Sequence, residues 1–145
     1  MRISAKGEYA VKAMLDLATH RGRTLVPIQE IAARQAIPQR YLEQVLLALK
    51  RAGVLTSKRG ATGGYHLTRG PEAITVGAVL RAVEGPSGPF EARGNVRPTR
   101  DGQNLMELWE EIAEAVSRVI DRLTFADMAE RVRERESAAR PMYHI

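Results

Sequence analysis

Residues 38–65 leave this chain few folds to choose from. They begin Pro-Gln-Arg-Tyr-Leu-Glu-Gln-Val-Leu-Leu-Ala-Leu-Lys-Arg-Ala-Gly, pass through a short β-like run, and end Arg-Gly-Ala-Thr-Gly-Gly-Tyr. Leu42, Val45, Leu46 and Leu49 recur at i, i+3, i+4 and i+7, the period of a helix with one buried face, and Gln39, Arg40, Glu43, Gln44 and Lys50 fall on its other faces. Pro38 suits the first turn of such a helix, where its missing N–H costs nothing. Gly53 supplies a left-handed stop, and residues 54–57, Val-Leu-Thr-Ser, have the composition of a strand that turns back between Gly60 and Gly64. The hairpin carries Lys58 and Arg59 to its tip. A helix with one polar face followed by a glycine-rich hairpin is the pattern of a DNA-recognition helix and its wing.

The flanking sequence supplies partners for that helix. Ser4 is an N-cap for a first helix whose apolar face is Ala10, Val11, Met14, Leu15, Leu17 and Ala18, with Gly22 as its end. A short helix over 28–35 buries Ile28, Ile31 and Ala32, and a tight turn joins it to the recognition helix, making a helix-turn-helix. After the wing, Thr75 caps a helix through Val76, Val79, Leu80 and Val83 that Gly85 and Pro86 break. Residues 86–103 are rich in Gly, Pro, Arg and Asn, a loop of a length that is usually functional or disordered. The longest helix follows, over 104–123, and Thr124 with Asp127 forms a capping-box-like start for a last helix over 125–135. The expected fold class is mainly α with a small β-hairpin. Its expected organisation is a winged helix-turn-helix over 1–84, a flexible loop over 85–103, dimerisation and C-terminal helices over 104–135, and a tail over 136–145.

Charge is split along the chain in the same way. Residues 1–70 hold twelve Lys or Arg against four Asp or Glu, whereas residues 71–145 hold ten against thirteen, so the net +5 comes from a basic N-terminal half. That division fits a polyanion-binding module carried on a separate scaffold. The absence of cysteine excludes disulfides, thiolate-bound zinc, cysteine-ligated clusters and a cysteine nucleophile within the chain. No apolar run approaches the ~20 residues of a bilayer span, and the first residues lack the apolar core of a signal peptide, so a cytoplasmic protein away from membranes is expected. His20, His66 and His144 are spread too widely to suggest a metal site. Glu110, Glu111 and Glu114 beside Arg118 have the spacing of a solvated helix face. With no catalytic constellation and no cofactor motif, an enzyme is not expected.

The candidate base readers are Gln39, Arg40, Glu43 and Gln44, on the turns that enter a major groove. Arg40 suits the two acceptors of guanine, a glutamine suits adenine, and Glu43 can only accept, which favours cytosine N4 and repels phosphate. The alternative for Glu43 is a surface pair with Arg40 or Lys50. Tyr41 either reaches a phosphate or packs beneath the helix. Arg59, Gly60, Gly63, Gly64 and Tyr65 are wing candidates, because missing side chains allow close backbone approach to the sugar-phosphate wall. Arg2 and Lys6 are candidate phosphate contacts. In the long helix, Leu105, Leu108, Trp109, Ile112, Val116, Val119, Ile120 and Leu123 form one stripe. A helix of about 30 Å exceeds what a domain of this size needs for its core, so the stripe reads as a dimer seam, with a core helix as the alternative. Met142, Tyr143, His144 and Ile145 are either a disordered end or an apolar peptide with a carboxylate for a partner's pocket.

These residues resemble the Rrf-two family of bacterial winged-helix transcription regulators. The likeness lies in the run Arg-Ile-Ser-Ala-Lys-Gly-Glu-Tyr-Ala-Val-Lys-Ala-Met from Arg2, Glu30-Ile-Ala, Tyr41-Leu-Glu-Gln, Arg-Gly-Ala-Thr-Gly-Gly-Tyr from Arg59, Ala82-Val-Glu-Gly-Pro, and Leu108 with Trp109. The resemblance implies a homodimer joined by the long helix and binding a palindromic double-stranded DNA operator. Many relatives sense through an iron–sulfur cluster held by three cysteines in the segment before the tryptophan-bearing helix. Here residues 90–106 contain none, which removes cluster-based sensing. Within the family the chain is most similar to the cluster-free cysteine-metabolism repressors of Gram-positive bacteria, through Ala61 in the wing, the run Glu-Gly-Pro-Ser-Gly-Pro-Phe-Glu from Glu84, and the closing Met-Tyr-His-Ile. That likeness implies repression of sulfur and cysteine genes and a complex with cysteine synthase through the C-terminal isoleucine carboxylate. Two other readings stay open: an interaction module that binds cysteine synthase through the tail, and a regulator of other genes that answers to a small ligand.

Overall fold

The computed structural model describes residues 3–20, 25–86, 88–89 and 100–139. Helix α1 (Ala5–Thr19) starts where the Ser4 hydroxyl accepts the Gly7 N–H at 3.1 Å, the cap that the sequence implies. It ends at His20, and the stop expected at Gly22 lies outside the described residues. Helices α2 (Ile28–Gln35) and α3 (Gln39–Arg51) form the helix-turn-helix. Pro38 is the residue before α3 rather than its first turn, so its fixed φ guides the chain into the helix. Between the two helices Ala36 adopts a left-handed conformation, φ 53°, so that its own N–H and that of Ile37 both reach the Ala32 carbonyl. Gly53, φ 82°, turns the chain out of α3.

Strands β1 (Leu55–Lys58) and β2 (Gly64–Leu67) pair antiparallel, with Leu55 opposite Leu67 and Lys58 opposite Gly64. A third segment joins them: Val26, from the link between α1 and α2, exchanges two 2.9 Å backbone hydrogen bonds with Tyr65. A 3-10 turn (Pro71–Ala73) leads to α4 (Val76–Glu84), which Thr75 caps by accepting the Ala78 N–H at 3.1 Å. Gly85, φ 99°, ends it.

Helix α5 (Arg100–Arg122) begins four residues before the expected start at 104. Asp101 in its first turn complements the helix dipole, and a polar run that reads as loop is equally at home on a solvated helix. Helix α6 (Phe125–Ala139) starts with the expected capping box, in which Thr124 N–H donates to Asp127 Oδ2 at 3.0 Å and Asp127 N–H donates to Thr124 Oγ1 at 3.1 Å. It runs past the expected end at 135 through Ser137 and two alanines, so the first part of the expected tail is helical.

The core gathers Met14 and Leu17 of α1, Ile31 of α2, Leu42, Val45, Leu46 and Leu49 of α3, and Val79 and Leu80 of α4. It does not stop at the boundary expected near residue 84: Phe125 and Ala129 of α6 are buried in the same cluster, and α6 packs along α1. Two backbone bonds fasten this junction, Val76 N–H to the Leu123 carbonyl at 2.8 Å and Phe125 N–H to the Ile74 carbonyl at 3.0 Å. Helix α5 rests chiefly on α4, and none of its apolar side chains is fully buried.

Candidate nucleic-acid interface

Because Leu42, Val45, Leu46 and Leu49 are fully buried, the geometry of α3 forces Gln39, Arg40, Glu43, Gln44 and Lys50 into solvent. Among the described residues the Arg40, Glu43, Gln44 and Lys50 side chains have no hydrogen-bond or ion-pair partner. The surface pair of Glu43 with Arg40 or Lys50 is not formed. Leu47 lies on the same outward face, 47 % exposed, and sequence reading passed over it because it falls off the buried stripe. Its one signal is a leucine out of register on a helix otherwise polar on that side.

Three contacts fix α1 against its neighbours around this face. Asp16 on α1 is fully buried and takes a forked pair of hydrogen bonds from Arg34 of α2, Nε to Oδ1 and Nη2 to Oδ2, both 2.9 Å, with Gln35 Nε2 adding a third at 3.1 Å. The bond to Asp16 raises the Arg34 guanidinium above its ordinary value, so the guanidinium stays charged. Tyr9 of α1 meets Tyr41 of α3 edge to face, ring centroids 5.2 Å apart, with Lys12 Nζ 6.0 Å from the Tyr9 ring centre. Tyr41 is thus braced against α1 and still partly open to solvent. Glu84, at the end of α4, accepts from the Ser4 N–H at 2.8 Å and from the Ser4 hydroxyl at 2.5 Å, and a Cβ on Gly7 would overlap its carboxylate. An acid at the start of α1 also suits the helix dipole. Lys6, in this first turn, is half-buried, and Arg2 lies outside the described residues.

In the wing, Lys58, Arg59 and Gly60 are exposed, but the glycines divide by role. Gly60, φ 117°, has open space where a side chain would be. A Cβ on Gly63 would strike the Lys58 carbonyl, and one on Gly64 would come within 2.6 Å of the Val26 carbonyl, so these two are spent on closing the hairpin and seating the third strand. Tyr65 is half-buried at the root of the wing, away from the tip. The structure thus brings Gln39, Arg40, Glu43, Gln44 and Lys50 onto one helix, and sets Tyr65 apart from them.

On α5, Leu105, Leu108, Trp109 and Val119 are between 42 % and 48 % exposed, whereas Ile112, Val116, Ile120 and Leu123 are half-buried. The N-terminal part of the stripe is thus the more exposed one. A cysteine-free chain offers no thiolate for an iron–sulfur cluster, and among the described residues no group of three or more His, Cys, Asp or Glu is placed to hold a metal ion. The residues present do not fit such a cofactor. Met142, Tyr143, His144 and Ile145 lie outside the described residues. No helix among the described residues is long and apolar enough to cross a membrane.

Known proteins carry the same arrangement. Residues 3–131 match the model of the Rrf2 (Rrf-two) family, described as an iron-dependent transcriptional regulator. The HTH-type transcriptional regulator CymR of Bacillus subtilis is 39% identical over 129 residues, 89% of this chain and 90% of that protein. The solved structure of CymR, described as the global cysteine regulator of B. subtilis, superposes with a TM-score of 0.76 at 38% identity, covering 90% of this chain and 97% of that one. That of T. potens IscR does so at 0.75 and 34%, covering 99% and 94%. A match that runs through both helices of the helix-turn-helix, the wing and the long helix places this chain in the Rrf2 family of transcriptional regulators.

Proposed function

We propose that the protein is a homodimeric, sequence-specific DNA-binding repressor of cysteine-metabolism genes that works without an iron–sulfur cluster. One observation carries the DNA-reading part: unpaired polar side chains on a helix held by Tyr9 and its own buried face, beside a wing tipped with Lys58 and Arg59. Arg40 pairs with guanine, Gln39 and Gln44 with adenine, Glu43 accepts from cytosine, and Leu47 rests on a thymine methyl. Lys6, Lys50 and Arg59 hold phosphates. A second copy covers the exposed end of the α5 stripe and doubles the reading head, so the operator is an inverted repeat. The cysteine-metabolism assignment is supported by the likeness to CymR and by a chain that has no thiolate to ligate a cluster.

Selection of bound duplexes from a random pool, run on the protein and on Glu43→Ala, tests this reading. The expected motif is two inverted half-sites, and the variant should relax preference at one base pair of each by ~1 to 3 kcal/mol while affinity for unrelated DNA holds or rises. An identical motif from both removes Glu43 from the readers, and no enriched motif at all sinks the proposal. Transcript levels after deletion of the gene test the finer part: cysteine-biosynthesis messages should rise, and a derepressed set without them would overturn that assignment.

A further inference from the structure

At the root of the wing, away from α3, a cleft of about 360 Å³ opens between the end of α1 and strand β2. It is lined by Leu17 of α1, His20 at that helix's end, Val26, and Tyr65 to Pro71. Its volume lies in the range of small-molecule sites, and none of its lining residues comes from the recognition helix. Among the described residues it is lined by three nitrogen-bearing side chains, His20 from α1 and His66 and Arg69 from the wing's return segment.

Their chemistry restricts the occupant. Arg69, exposed and lining the cleft, has no ion-pair or hydrogen-bond partner for its guanidinium among the described residues. Both imidazoles are oriented by carbonyl oxygens, His20 Nδ1 to the Asp16 carbonyl at 2.8 Å and His66 Nδ1 to the Leu67 carbonyl at 3.0 Å. A carbonyl only accepts, so Nδ1 carries the hydrogen in each, and Nε2 is the nitrogen that remains for a ligand. The acids nearby are engaged. Asp16 takes the bonds of Arg34 and Gln35, with His20 Nδ1 3.8 Å from its Oδ1, and Glu72, which packs against Gly70, has an interaction of its own. Leu17, Val26, Leu67 and Pro71 supply an apolar surface alongside the cation.

The geometry points to a binding site for a small organic carboxylate, its charge held by Arg69 and its short apolar arm laid on Leu17, Val26, Leu67 and Pro71, with the two imidazoles lining its flank. The ligand would touch α1, the Val26 segment and β2 together, the three pieces whose meeting fixes where the wing stands.

The full chain, labelled at histidine Cε1 and assigned by His→Gln variants, is titrated with isobutyrate by NMR. Isobutyramide, inorganic phosphate and the Arg69→Gln variant are the comparisons. Isobutyrate is expected to shift the His20 and His66 signals saturably in the millimolar range, with His144 unmoved. For six non-hydrogen atoms that affinity is well inside the efficiency ceiling. Arg69→Gln should weaken binding at least tenfold, and neither isobutyramide nor phosphate should compete. Equal binding of isobutyramide would show that charge is not recognised, equal binding of phosphate that the apolar wall is not used, and no saturable shift with isobutyrate that there is no site; each overturns the inference.

Discussion

Ala36 holds the turn between α2 and α3 in a backbone conformation that costs an L residue about 1 kcal/mol, and in it the Ala36 and Ile37 N–H groups both donate to the Ala32 carbonyl. Ala36→Gly should therefore raise stability by about 0.5 kcal/mol once the added freedom of the unfolded chain is deducted, read as a small rise in melting temperature. A drop would mean that the methyl contributes packing that outweighs the strain. Asp16 is the opposite case. Read from sequence, it is one charge between the apolar residues of α1, and Arg34 is one more surface cation on α2. Eighteen residues separate the partners, and nothing local signals that they meet. Arg34→Met strands a fully buried carboxylate and should cost about 3 kcal/mol in urea unfolding, whereas adding Asp16→Leu should recover much of it. Equal stability of both variants would show that the pair does not hold α2 to α1.

Helices and their caps were largely legible because their signals are local: Ser4, Thr75 and the pair Thr124–Asp127 sit within three residues of what they cap. The ends of α5 and α6 were not, since polar residues at 100–103 and 136–139 suit loop and solvated helix alike. The third strand was also hidden, because one residue, Val26, pairs only when Gly64 lets the backbones close. For the same reason the three glycines of the wing looked equivalent in sequence, although two serve the fold and one faces outward. The setting of α5 depends on a forked pair equally invisible in sequence, Arg81 Nη1 to Asp121 Oδ1 at 2.5 Å and Nη2 to Oδ2 at 3.0 Å, forty residues apart. The Arg81 bonds hold the Asp121 carboxyl below its ordinary value of 3.8. A depressed carboxylate contributes stability that is complete above its unfolded value and is lost as pH falls through the folded one. Acid titration of stability from pH ~5 to ~2.5 should accordingly show a steeper loss for the native chain below about pH 4 than for Asp121→Asn, and superimposable profiles would remove the pair from the account.

In the proposed dimer the reading surface and the association surface lie on different helices, α3 and α5, joined through α4. Leu105→Asp with Leu108→Asp should leave the circular dichroism intact and yield a monomer by sedimentation. Affinity for the selected inverted repeat should fall by about a hundredfold or more, because the second half-site would no longer be held in place by the first. A dimer that survives both substitutions would show that α5 is not the seam.

The burial of Phe125 among residues of the first half reaches into how the molecule is made. Small domains generally fold as units while synthesis proceeds, but a ribosome that has delivered residue 84 has not yet supplied the aromatic ring that plugs the core of this one. Loss of such a ring costs about 3 to 5 kcal/mol, a large share of the stability of any domain this size. A message truncated before codon 125 would thus leave no half-working competitor for the operator, only a fragment for the proteases.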